Sequence, residues 1–162
     1  MYSSLNVHNR LQELDVPHEL FKLSGQAGNL ERAAAGLGLE LSQIARVELF
    51  RLDAELVMVI APGDREVDES KLMAISGAVS VSRVANEEIP SLTGYPANSL
   101  PPVAHKVDLP AYIDYYTLKE DVVYTCSGEQ TAILKIRSYD LVRATGGETE
   151  DIVLSAQGAR DS

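Results

Sequence analysis

Gln43-Ile44-Ala45-Arg46-Val47-Glu48-Leu49-Phe50-Arg51 and Glu55-Leu56-Val57-Met58-Val59-Ile60-Ala61 are two apolar-rich runs separated only by Leu52-Asp53-Ala54. Runs of that length with β-branched residues read as strands, and a link this short joins them as a hairpin. Side chains alternate across a strand. Ile44, Arg46 and Glu48 therefore take one face, and Ala45, Val47 and Leu49 take the other. Downstream, Ala61-Pro62-Gly63-Asp64 is turn chemistry. Asp68 then caps a helix over 69–76, which Gly77 stops. Residues 78–85 read as another strand, and Asn86-Glu87-Glu88-Ile89 starts a short helix with acids in its first turn.

Upstream, Ser3 or Ser4 caps a helix over 4–15, with Leu5, His8, Leu11 and Leu14 at helical spacing and Pro17 closing it. His8 on that stripe reads as a packed residue. His18 to Leu23 alternates as a strand. Asn29 caps a helix over 30–37 that Gly38 ends. Toward the C-terminus, Pro110 opens a strand at 111–114. Residues 121–126 and 131–137 form a hairpin across Ser127-Gly128-Glu129-Gln130, and 139–143 form a short helix. From Gly146 the hydrophobicity falls, so 146–162 is expected to be a partly mobile acidic tail outside a domain of residues 1–145. Helices interleaved with hairpins predict a single α+β domain around a mixed sheet.

The 162 residues are enough for one domain with a real core. No apolar run is long enough to span a bilayer, and no secretory signal is visible at the N-terminus. The single cysteine, Cys126, permits no intrachain disulfide, which suggests a reducing cytoplasm. The formal net charge is −10 and the pI about 4.7. That argues against a broad nucleic-acid-binding face, but leaves room for a small basic pocket that receives the end of a nucleic acid.

Candidate chemistry is sparse. His8, His18 and His105 are scattered, so no zinc spacing is present, and no phosphate loop, GxGxxG fingerprint or nucleophile elbow occurs. No cofactor is therefore expected. Cys126 reads as a small strand hydrophobe rather than a nucleophile. Asp114 and Asp121 could pair as acid and base, though strand-end carboxylates are usually solvated. Arg46 admits two readings: an ion pair with Glu48 on the same strand face, or a fixed cation on the floor of a pocket for phosphate or carboxylate.

The stretch Thr93-Gly94-Tyr95-Pro96-Ala97-Asn98-Ser99-Leu100-Pro101-Pro102-Val103-Ala104-His105 holds three of the seven prolines. Pro101 and Pro102 exclude helix and central strand, while Gly94 and Asn98 can turn with positive φ. A stiff loop results. It is either a rigid connector or a preformed wall of backbone groups for a small polar ligand.

These pieces, in this order, resemble the YbaK/ProX aminoacyl-tRNA deacylases, which are similar to the editing domain of bacterial prolyl-tRNA synthetases. The resemblance runs from about residue 5 to residue 143. It rests on the helix ending Gly36-Leu37-Gly38-Leu39 and on Gln43-Ile44-Ala45-Arg46. It continues through Pro62-Gly63-Asp64 with Asp68 and Lys71-Leu72, and through Leu92-Thr93-Gly94-Tyr95 leading into Pro101-Pro102. Leu109-Pro110 with Tyr112-Ile113-Asp114 completes it.

The resemblance implies a largely antiparallel, curled sheet flanked by helices. It also implies removal of a wrong amino acid from tRNA, by ester hydrolysis with neither metal nor covalent nucleophile and with help from the ribose hydroxyl of the terminal adenosine. In this chain it assigns catalysis to Arg46, Asn98 and Ser99. Substrate binding falls to Gly94, Tyr95, Leu100, Pro101, Pro102, Val103 and His105, with Ser127 and Gly128 of the hairpin turn. The partner it implies is a mischarged tRNA acceptor end, delivered by a synthetase or an elongation factor. Arg46 stands where the family usually has Lys, and Asn98 and Ser99 stand where it usually has Gly-Gly. A diverged member that binds without turnover, and a small-molecule esterase, are the other function classes the sequence allows.

Overall fold

The computed structural model describes residues 2–25 and 28–155. The opening hairpin forms as the alternation requires. Strands β2 (Ala45–Leu52) and β3 (Glu55–Pro62) pair antiparallel from Ala45↔Pro62 to Leu52↔Glu55, so the loop is only Asp53-Ala54. Asp53 adopts φ 57 there, and its carboxylate accepts from the amides of Val79 and Ser80. Asp tolerates this left-handed turn because its side chain bonds locally.

Two sheets result. One is β1 (His18–Lys22), β7 (Ala132–Arg137) and β6 (Val122–Cys126), all antiparallel. The other runs β4 (Val81–Arg83), β2, β3, β5 (Ala111–Asp114) and β8 (Glu148–Glu150), with β3–β5 and β5–β8 parallel. A bridge between Ile44 and Tyr124 joins them, so the mixed sheet curls at that point. Among the described residues five α-helices flank it: α1 (Ser4–Glu13), α2 (Leu30–Gly36), α3 (Glu69–Ser76), α4 (Ile89–Thr93) and α5 (Ser138–Thr145). The α+β fold read from the sequence is the one observed.

The register divides the five-stranded sheet into two faces. Ala45, Val47 and Leu49 with Met58 and Ile60 pack against Val7 and Leu11 of α1, Leu141 of α5, and Tyr95, Leu100 and Val103 of the proline loop. Phe50, Leu52, Val57, Val59 and Ala61 on the other face pack against Leu72 of α3 and against Ile152 and Val153. A third cluster sets Leu30, Ala33 and Ala34 of α2 on Ile44 and Ile133.

Two expectations change. The buried stripe of α1 is Val7 and Leu11, whereas Leu5 is 63% exposed, because the helix is rotated to lay Val7 on the core. The domain also does not end at 145. Glu148–Glu150 adds a parallel strand to β5, Val153 bridges Val67, and Ile152 and Val153 are fully buried. Asp114, itself fully buried, receives the amides of Tyr116 at 2.8 Å and Ile152 at 2.9 Å. Burial raises the pKa of that carboxyl, and the two amides oppose the shift. Asp114 is thus a structural staple for the C-terminal segment, not half of an acid–base pair. Residues 156–162 of the expected tail lie outside the described residues.

Candidate functional site

The proline loop begins where α4 stops. Gly94 caps that helix at φ 91, and a side chain there would meet the ring of Tyr2 at 2.9 Å. Tyr95 is fully buried beneath the loop, and its hydroxyl donates to the Ala104 carbonyl at 2.8 Å. Burial pushes that phenol well above its ordinary range. Gly128 of the hairpin turn lies against the same ring, where a Cβ would come within 2.8 Å. Ser127 is buried beside it, with its hydroxyl donating to the Ala132 carbonyl at 2.7 Å. Gly94, Tyr95, Ser127 and Gly128 therefore brace the loop from below.

The two ends of the loop face different spaces. At the first, a single 3-10 turn over Ala97–Ser99 brings Asn98 to α2, where its amide donates to the Gly28 carbonyl at 3.2 Å. Ser99 is 1% exposed, and its hydroxyl donates to the side-chain Oδ1 of Asn98 at 3.2 Å. A cavity of about 20 Å³ lies here, walled by Leu30, Ala33, Cys126 and Ile133 around Asn98. Burial holds the Cys126 thiol up at about 12, so it stays protonated. The Ser99 amide closes this turn on the Pro96 carbonyl at 3.1 Å, and Leu100 beyond it is buried.

At the other end Pro102, Val103, Ala104 and His105 line a groove of about 550 Å³, opposite Asn6, Asn9 and Arg10 of α1. His105 is held by the Pro101 carbonyl, 2.6 Å from its Nε2. That contact assigns the proton to Nε2. Burial lowers the imidazole's pKa, so His105 is neutral near pH 7. Ala104 sits at φ 68, a left-handed conformation that costs a residue with a Cβ.

Arg46 does not join the loop. It shares its strand face with Glu48, across from Ala61 and Val59, while the loop packs on the opposite face. Its guanidinium donates to the Arg65 carbonyl and stands 3.7 Å from the Glu48 carboxylate, which also receives Arg83. The ion-pair reading of Arg46 is the one observed, on the strand face away from the loop. The reason is parity: an even-numbered residue of β2 faces away from the cluster that Ala45, Val47 and Leu49 build with the loop. His8, read as packed, instead meets His18 through a 2.8 Å contact between ring nitrogens. Among the described residues no group of three or more His, Cys, Asp or Glu converges as a metal site.

A curled α+β sheet with a proline-braced loop over its edge defines a class that comparison with known proteins makes specific. The family model of the aminoacyl-tRNA editing domain matches residues 25–144, and the chain belongs to that family. Proline–tRNA ligase 1 of Bacillus cereus is 29% identical over 99 residues, covering 61% of this chain and 17% of the ligase. The same enzyme of Bacillus thuringiensis subsp. konkukian is 30% identical over 99 residues, with the same coverage. The chain therefore matches only about a sixth of the length of these relatives. A crystal structure of a candidate trans-editing enzyme for prolyl-tRNA synthetase superposes with a TM-score of 0.85 at 23% identity, covering 96% of this chain and 99% of that one. A hypothetical protein of known structure gives 0.86 at 26% identity, covering 92% and 99%.

Proposed function

We propose that this chain hydrolyses the ester bond of a mischarged aminoacyl-tRNA, with the reacting carbonyl at the Asn98–Leu100 end of the proline loop. The observation that supports this most directly is the small cavity at Asn98, on a loop braced by Tyr95 and Gly128. A site preset in this way holds its dipoles in place without reorganising at the moment of reaction. Water is the nucleophile in this reading. Its oxygen bonds to the carbonyl carbon, the carbon–oxygen bond to the ribose breaks, and the neighbouring ribose hydroxyl relays the proton to the leaving oxygen. Free amino acid and tRNA are the products. Ser99 and Cys126 are poor nucleophiles here, the first buried and bonded to Asn98, the second a protonated thiol. The mechanism calls on no metal.

The cavity beside Asn98 is about 20 Å³ and mostly apolar. That is room for roughly one water or one methyl group, so the smallest amino-acid side chains fit and branched ones do not. A panel of mischarged tRNAs tests the reading. Alanyl esters should be cleaved fastest and valyl or leucyl esters slowly. Absence of cleavage of every ester by folded protein would end it.

Binding without turnover is favoured by one observation: Asn98 and Ser99 spend their side chains on each other and on Gly28. A non-hydrolysable aminoacyl-adenosine amide that binds, with no ester turned over, would select that reading. The net charge of −10 attracts free tRNA poorly over distance, which supports delivery by a synthetase or an elongation factor.

A further inference from the structure

We propose that His8 of α1 and His18 of β1 form a binding site for one tetragonal divalent transition ion, copper(II) above all. Neither histidine lines the cavity at Asn98 or the groove at His105, and the site takes no part in the hydrolysis proposed above. His8 Nδ1 and His18 Nε2 lie 2.8 Å apart, with ring centroids separated by 4.9 Å and ring planes at 59°. Imidazole–metal bonds of about 2.0–2.1 Å place two cis nitrogens about 2.8–3.0 Å apart on a tetragonal ion, and about 3.3–3.4 Å apart on a tetrahedral one. The observed separation is the tetragonal one. Imidazole nitrogen also suits copper, and among the divalent ions of this row copper binds tightest.

The protonation states fit a ligand pair. The Val16 carbonyl stands 2.9 Å from His18 Nδ1 and holds the proton there. His18 Nε2 keeps its lone pair toward His8, which is the tautomer a ligand needs. A backbone carbonyl on the far nitrogen is the usual support of a metal-bound histidine, because it fixes the ring and raises its basicity. In the ion-free pair His8 Nδ1 carries the proton of the 2.8 Å bond. On binding, solvent carries that proton to His8 Nε2, both facing nitrogens bond to the ion, and the neutral pair releases no proton. Both residues are only part-buried, so the His8 ring can turn until the two lone pairs meet on the ion. Water fills the remaining positions.

The backbone between the two rings is pinned. The Val16 amide donates to the Leu11 carbonyl at 2.9 Å, and Asp15 turns at φ 55. Pro17 fixes its own φ just before the strand. Arg143 of α5 donates to the carbonyls of Leu14 and Asp15, each at 3.2 Å. Val7 and Leu11 seat the helix on the core, and His18 pairs with Ile136 of β7. The two ligands therefore need little ordering when the ion arrives, which is what lets two side chains give measurable affinity. Because α1 also walls the groove at His105 through Asn6, Asn9 and Arg10, the bound ion stiffens that wall.

The test titrates copper(II), and separately zinc(II), into the full chain without an affinity tag, followed by calorimetry. Wild type should bind one copper ion per chain, and zinc at least about tenfold more weakly. His8→Gln and His18→Gln should each lose about tenfold or more in copper affinity. His105→Gln, which removes the third histidine, should bind copper like wild type. At a hundredfold excess over the dissociation constant, copper should raise the wild-type melting midpoint by about 5–10 °C, and that of either pair variant by no more than about half as much. Electron paramagnetic resonance should show an axial copper signal split by two imidazole nitrogens. Equal copper binding by wild type and either pair variant overturns the proposal. So does an equal loss in His105→Gln. So does a sulfur-to-copper charge-transfer band, which would put the ion on Cys126. Circular dichroism checks that each variant is folded. Where one is not, the wild-type resonance decides, and a copper signal without imidazole nitrogens overturns the proposal.

Discussion

The two faces of the five-stranded sheet come from the same strands and do opposite work. On one, Ala45, Val47, Leu49, Met58 and Ile60 are apolar and hold Tyr95, Leu100 and Val103 of the proline loop in place. On the other, Val59 and Phe50 pack as usual, but Arg46, Glu48 and Arg83 interrupt the core with an ion cluster. The lesson is that the loop is positioned by dispersion and burial, while charge is kept on the side where the core thins out. A guanidinium on the loop's face would have to be desolvated without a partner, at a cost of several kcal/mol.

The largest expected effect tests the first face. Tyr95→Ala should destabilise the protein by about 3–5 kcal/mol, as truncations of buried aromatics do, and Tyr95→Phe by about 1 kcal/mol for the lost bond to Ala104. Denaturant unfolding measures both. A Tyr95→Ala loss below 1 kcal/mol would mean that the loop does not depend on that face. Next, Asp114→Ala strands the amides of Tyr116 and Ile152 and should cost about 2–4 kcal/mol, with hydrogen exchange at Ile152 and Val153 speeding up most. Unchanged exchange there would detach the C-terminal segment from the core.

A pH effect sharpens the comparison. Burial lowers the pKa of His105 from 6.5. The unfolded chain therefore binds a proton below about pH 6.5 that the folded chain refuses. Stability should be full above that pH and fall as pH drops toward the folded pKa. His105→Gln should remove that slope, and an unchanged slope would place its origin elsewhere. Smallest is Ala104→Gly. Relief of the positive φ should outweigh the added chain entropy and stabilise by about 0.5–1 kcal/mol, measured by denaturant unfolding. A loss of stability would mean that the Ala104 methyl packs better than its backbone is strained.

Much of this molecule was legible before its structure. Asn29, Asp68 and Gly77 cap their helices as their chemistry requires, Gly94 turns at positive φ, and alternation with a short link paired 43–51 with 55–61, within a residue or two of the observed strands. The interruption of helix and strand at Pro101-Pro102 was legible, because proline acts on its own backbone and its neighbour's. Arg46 was placed on the same strand face as Glu48, yet the choice between ion pair and pocket floor stayed open. Alternation says which residues share a face and is silent on what covers it.

Local chemistry in the chain therefore determined the elements, the turns and the stiffness of the proline loop. Those depend on φ, on caps and on period, each set within a few residues. Tertiary structure alone decided that Glu148–Glu150 is a strand, that the Asp114 carboxylate receives the Ile152 amide, and that Arg46 and Arg83 meet on the Glu48 carboxylate. Each of these is a relation between segments far apart in sequence. Its free energy comes from burial and charge after the chain has closed on itself, where no local pattern records it.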